Sequence, residues 1–105
     1  ALAEALTRNQ QPQKAVNLLK KQIRKKPRAP FLWYRLSEAY GKQKKIAEVH
    51  TSRAEYFYLV GRVDKSLEQI RYAIAASKND FILQQKLQKR SQQIKASKQD
   101  LSIKK

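Results

Sequence analysis

Pro30-Phe31-Leu32-Trp33-Tyr34-Arg35-Leu36-Ser37-Glu38-Ala39-Tyr40-Gly41 is the stretch on which the fold turns. Its apolar residues Leu32, Trp33, Leu36, Ala39 and Tyr40 recur at steps of three and four, the period of a helix with one buried face. Pro30 suits a first helical turn, where the N–H it lacks would have had no partner, and Gly41 suits a stop. The spacing predicts an amphipathic helix that opens at Pro30 and ends by Gly41.

Toward the amino terminus, Pro27 closes a helix that opens near Pro12 and carries Ala15, Val16, Leu19 and Ile23 on one face. Its opposite face is nearly all basic. Before it, Leu2 and Leu6 mark a helix from the start of the chain to about Arg8. Toward the carboxyl terminus, a helix from about Lys44 to Val60 aligns Ile46, His50, Ala54 and Phe57 and stops at Gly61. The next has Asp64 as its expected N-cap, turns Val63, Leu67, Ile70, Ala73 and Ile74 toward a core, and fades at Ser77. Asn79 and Asp80 then offer a cap for a sixth helix with Leu83, Leu87 and Ile94 on one stripe. Lys, Gln and Ser dilute that stripe, as suits a terminal helix with one solvated face. Apolar support is thin beyond about Ser97, so we expect a helical domain over 1–97 and a polar, fraying tail over 98–105.

Composition agrees with this reading. Only two glycines and three prolines stand among abundant Ala, Leu, Lys, Gln and Glu, too few turn residues for a strand-rich fold. A chain of 105 residues can make one domain that buries somewhat over about 60% of its unfolded surface. The absence of cysteine excludes disulfides, thiol catalysis and thiolate metal sites. The absence of methionine leads us to expect a processed product or a piece of a longer protein. No apolar run approaches the roughly 20 residues that span a bilayer, and any targeting segment would lie upstream. The formal charge is +16. Lys20, Lys21, Arg24, Lys25, Lys26 and Arg28 crowd one stretch, while Lys86, Lys89, Arg90, Lys95, Lys98, Lys104 and Lys105 load the end.

Trp33-x-x-Leu36-Ser37-x-x-Tyr40 resembles the first-helix signature of the tetratricopeptide repeat, in which a small residue lets the paired helix approach. One period of about 34 residues earlier, Leu2, Ala3 and Leu6 fall on the equivalent core positions. Ala15, Leu19 and Pro27 then fall on the second-helix positions and the terminating proline. The resemblance implies an all-α fold, tetratricopeptide-type antiparallel helix hairpins stacked as a short right-handed solenoid of about six helices. Gly61 to Leu67, followed by Ile70 and Ala73, resembles the second half of another repeat. That repeat would begin near Ala47, leaving only residues 30–46 for the unit before it. One helix is therefore missing or shared, and we read the helix over 44–60 as the one that breaks the regular stack.

The series His50-x-x-Arg53-Ala54-Glu55-Tyr56-Phe57-Tyr58-Leu59-x-Gly61, then Asp64-Lys65-Ser66-Leu67-Glu68-Gln69-Ile70, then Asp80-Phe81-x-Leu83, carries a more particular likeness. It resembles the C-terminal repeat region of bacterial periplasmic zinc metallopeptidases, the β-barrel assembly-enhancing protease family, over about Pro12 to Ile94. The resemblance implies a periplasmic setting and a parent whose zinc sits in a separate HExxH protease domain. It also implies a repeat region that contacts client proteins, the outer-membrane assembly machinery or the protease domain itself. The HExxH motif is absent here, and the basic second helix and tail depart from the family's pattern.

Catalysis finds little support in the residues. A helical zinc site needs convergent ligands, whereas His50 is the single histidine and shares a stripe with Ile46 and Ala54, which favours interhelix packing. No strand-turn-helix elbow or glycine-rich phosphate loop is present. We therefore expect no enzyme activity and no cofactor in this chain. Residues one helical face away from Trp33 and Leu36 are the candidates for a partner-binding groove: Phe31, Tyr34 and Glu38, with Glu4, Arg8, Glu55 and Tyr58 from flanking helices. Phe31 and Tyr58 could equally complete the core. Lys20, Lys21, Arg24, Lys25, Lys26 and Arg28 form either a surface for an anionic partner or a solvated face. Nucleic acid is not expected, since lysine without interleaved aromatics offers no stacking platform. The function expected is a protein–protein interaction scaffold. Its rivals are a basic helical nucleic-acid-binding module and a stand-alone peptide-binding adaptor.

Overall fold

The computed structural model of the chain describes residues 2–8 and 10–103, with side chains as far as Lys98. Six helices follow one another: α1 (Leu2–Arg8), α2 (Pro12–Lys25), α3 (Pro30–Lys42), α4 (Ile46–Leu59), α5 (Val63–Ala76) and α6 (Phe81–Ile103). No strand occurs among the described residues. Each helix packs on the next in sequence, and α1 also touches α3, so short links such as 43–45 reverse the chain at every step. The expected all-α array of neighbour-packed helices is the architecture adopted. Its extents of 46 × 32 × 19 Å describe a slab about two helix diameters thick.

The links show how the chain turns. Gly61 has φ +81° at the end of α4, with its N–H bonded to Tyr58 O at 3.1 Å and Arg62 N bonded to Phe57 O at 2.8 Å. That pair of bonds is a Schellman stop, and glycine takes the left-handed position without Cβ strain. The same pair recurs after α1, around Gln10 with φ 61°, and after α3, around Lys44 with φ 58°. Gly41, expected to end α3, is instead a helical residue with nothing near the place a Cβ would occupy; the stop is made by Lys44. At the starts, Pro12 and Pro30 lie in first turns and Asp80 Oδ1 accepts the Leu83 N–H at 3.0 Å. Asp64 is not the cap of α5. Arg62 holds that position without a side-chain bond, and Asp64 lies in the first turn, where it meets the positive end of the helix and the Lys98 ammonium.

Two clusters make the core. The first joins Ala15, Val16, Leu19 and Ile23 of α2 to Leu36, Ala39 and Tyr40 of α3, with Ala3 and Val49. The second joins Ala54, Ile70, Ala73, Leu87 and Ile94. Small residues sit where helices cross: Ala15, Ala39, Ala54, Ser66 and Ala73 are wholly buried, and the Ser66 hydroxyl donates to Ala54 O at 2.8 Å. Helix α4 serves both clusters, Val49 in one and Ala54 in the other, because it is packed between α3 and α5. It is the helix that the two clusters share.

That position also overturns its single-stripe reading. Ile46 is 54% exposed, His50 and Phe57 are half-buried, and the buried residues are Ala47, Val49, Ser52 and Ala54. A helix flanked on two sides has no one apolar face to read. Leu2, expected in the core, is likewise exposed, while Ala3 is buried and Leu6 packs at the margin. Helix α6 continues to Ile103, past the expected edge of the domain at 97. The side chains expected to form the tail, Lys104 and Lys105 included, lie outside the described residues apart from Lys98.

Candidate functional site

Arg35 organises the face made by α1 and α3. Its Nη2 lies 2.9 Å from Glu4 of α1, its Nη1 lies 3.3 Å from Glu38 one turn on, and its guanidinium stacks 4.8 Å from the centre of the Phe31 ring. Its Nε is buried with no partner. Beside it opens a cavity of about 360 Å³ walled by Ala3, Leu19, Leu32 and Phe31, with Lys25 and Lys26 at the edge. A smaller hollow of about 220 Å³ adjoins it, lined by Arg8, Arg35, Glu38 and Lys42. The structure thus gathers Arg8, Phe31, Glu38 and Glu4 around one arginine. Phe31 is 54% exposed and Tyr34 44% exposed, so neither completes the core. Tyr34 turns toward α4, its ring 5.4 Å from that of Tyr56.

Glu55 and Tyr58 are placed elsewhere. Arg90 of α6 grips the Glu55 carboxylate with both ends of its fork, Nε at 2.7 Å and Nη2 at 2.8 Å, and lies 5.0 Å from the Tyr58 ring centre. The Tyr58 hydroxyl shares a hydrogen bond of 3.0 Å with Ser97. The hydrogen bonds that Arg90 donates to Glu55 raise its pKa further, against an opposing pull from burial. Both candidate residues therefore fasten α6 to α4. They join no surface with Phe31, because their side chains are taken by Arg90 and Ser97 of α6.

All six residues of the basic stretch, Lys20, Lys21, Arg24, Lys25, Lys26 and Arg28, are exposed, and none forms an ion pair among the described residues. They do not share one neighbour. Lys25 and Lys26 border the Phe31 cavity, Lys20 and Arg24 border another hollow, and Arg28 borders a third with Tyr58 and Ser97. His50 Nδ1 meets Gln69 Oε1 at 2.7 Å, and its ring lies 5.3 Å from Tyr72. Among the described residues no three His, Cys, Asp or Glu side chains converge as metal ligands. No helix among them is long and apolar enough to cross a membrane.

Arg35 and Arg90 were the residues missed. Arg35 had a local signal, lying four residues after Phe31 and three before Glu38 on one helix. Arg90 had none, since its partner is 35 residues away. No protein-family model matches the chain, and no curated protein matches it.

Proposed function

We propose that this chain is a protein-interaction scaffold that holds a polypeptide partner against its α1–α3 face and makes or breaks no bonds itself. One observation carries the reading: exposed Phe31, backed by Arg35, stands at the mouth of a 360 Å³ apolar cavity whose rim is charged. Apolar walls with a few fixed polar groups suit a side chain arriving from a partner, and aromatic and arginine residues are the usual anchors of such contacts. Tyr34, Glu38, Glu4 and Arg8 would complete the contact. Substituting alanine for both Phe31 and Tyr34 is expected to weaken partner capture at least about tenfold while the helical circular dichroism stays unchanged. Capture that is indifferent to both changes would place the binding surface elsewhere.

The likeness of residues 12–94 to periplasmic metallopeptidases extends the proposal. In that reading the chain is the repeat domain of a periplasmic zinc protease. It would recruit clients, the outer-membrane assembly machinery or the protease domain, with zinc held in the parent's catalytic domain and no cofactor here. The coding sequence on the amino-terminal side tests this directly: a secretion signal and an HExxH motif would support it, and a cytosolic kinase or transcription module would end it. A stand-alone adaptor would keep the Phe31 dependence without those upstream features. A nucleic-acid binder would instead show steep loss of oligonucleotide binding with salt, carried by the exposed cations of α2.

A further inference from the structure

A second hollow lies on the other flank of α3. It measures about 320 Å³ and shares no lining residue with the Phe31 cavity, as expected from the two-residue step between Phe31 and Trp33 on one helix. Trp33, Leu36 and Tyr40 of α3, Ile23 of α2 and Leu83 from the start of α6 supply an apolar wall. The Trp33 Nε1–H donates to Pro27 O at 3.3 Å and the Thr51 hydroxyl to Ala47 O at 2.8 Å, so both groups already have partners within the chain. At the edge stand Lys20 and Arg24, one turn apart, exposed, and without an ion pair among the described residues. Lys20 Nζ rides 5.8 Å from the Tyr40 ring centre. Glu48 is the one acid in the lining.

We propose that this hollow is a docking site for an acidic polypeptide segment that inserts one bulky apolar side chain between Trp33 and Leu83 and sets flanking carboxylates on Lys20 and Arg24. This site is separate from the Phe31 face. Four observations select that occupant. The hollow is near the small end of the range of about 300–1,000 Å³ for ligand pockets, a size for a side chain rather than an extended acyl tail. No Asp or Glu occurs between Glu4 and Glu38, so the field at this edge is positive and attracts carboxylates. Glu48 repels a continuous run of phosphates more strongly than a peptide whose carboxylates are few and spaced. Trp33 packs half-buried against the first core cluster, which leaves it as a wall of the hollow rather than a free platform for a base.

Fluorescence anisotropy on the whole chain tests the site. The probe is a fluorescein-labelled peptide with one phenylalanine flanked on each side by aspartates. Saturable binding is expected, falling as salt is raised. Replacing the peptide's phenylalanine with alanine, or making Lys20→Glu together with Arg24→Glu in the chain, is expected to weaken it at least about tenfold. Glu48→Lys is expected to strengthen it about threefold. Phe31→Ala leaves it unchanged, which separates this site from the α1–α3 face. The charge-reversed residues are exposed, so circular dichroism should report intact helices. Four results would overturn the proposal: no saturable binding, equal binding of the alanine peptide, indifference to the Lys20 and Arg24 reversal, or loss of binding in Phe31→Ala. A fifth is displacement of the peptide by phosphatidylglycerol vesicles or oligothymidylate at lower concentration than unlabelled peptide, which would assign the cations to lipid or nucleic acid.

Discussion

The face around Arg35 and the seam around Arg90 are made from the same parts. Each has an arginine, a glutamate on a helix distant in sequence, and an aromatic ring beneath the guanidinium. They end in opposite states. Arg90 sets Nε and Nη2 on Glu55 and Nη1 on Gln93, and Ser97 takes the Tyr58 hydroxyl, so α6 covers the ring and the seam is satisfied within the chain. Arg35 divides its fork between Glu4 and Glu38, leaves Nε without a partner, and lies over a Phe31 that no further helix covers. The difference is whether a sixth helix passes overhead. The same residue set stays open in one half of the molecule and latches the chain to itself in the other.

The largest expected effect breaks the latch from below. Ile94, wholly buried in the second cluster, is expected to cost about 2–4 kcal/mol when cut to alanine, measured by urea unfolding. A loss below about 1 kcal/mol would mean that α6 is not part of the core. Next, Arg90→Ala is expected to cost about 1–2 kcal/mol, since a half-buried bidentate pair lies between exposed and buried ion pairs in strength. Arg35→Ala should cost under about 1 kcal/mol in stability but lose partner capture. If the two arginines traded these phenotypes, the contrast between face and seam would be reversed.

The seam should also be insensitive to pH from the arginine side. Glu55 raises the folded-state pKa of Arg90 above its unfolded value. A group raised in this way stabilises the fold fully below its unfolded pKa and loses that stabilisation only as pH climbs through the folded one. For arginine both lie above the working range, so the stability difference between the native chain and Arg90→Ala should hold steady from about pH 6 to pH 9. A steep change across that span would show that another group controls the pair. The smallest effects belong to the helix stops. Gly61→Ala should cost about 1 kcal/mol through backbone strain alone, because open space surrounds its missing Cβ, and Lys44→Gly should gain about 0.5 kcal/mol. Thermal melts compare the two.

Much of the fold was legible because it depends on local period. Ala15, Val16, Leu19 and Ile23 are buried as their spacing requires, Gly61 takes the left-handed turn, and Asp80 caps α6. Gln10 and Lys44 were invisible as stops, since neither residue type signals a positive φ and the links impose it. Ile46 misled because α4 has two packed sides, and an apolar residue can fall on the arc between them. The candidate face was half legible. Phe31, Tyr34, Glu38 and Arg8 sit where one helical face away from the core must point, but Glu55 and Tyr58 depended on the path of α6.

The sequence by itself determined that this chain is helical, where most of its helices begin and end, which residues of α2, α3 and α5 meet a core, and that the α2 stretch carries unopposed positive charge. Those properties follow from spacing within a few turns, where neighbours along the chain are neighbours in space. Tertiary structure alone decided that α4 is shared by two clusters, that Arg90 reaches back 35 residues to close one aromatic site, and that the matching site around Arg35 stays open. Such choices depend on which helix covers which surface, a property of the whole array that no local period encodes.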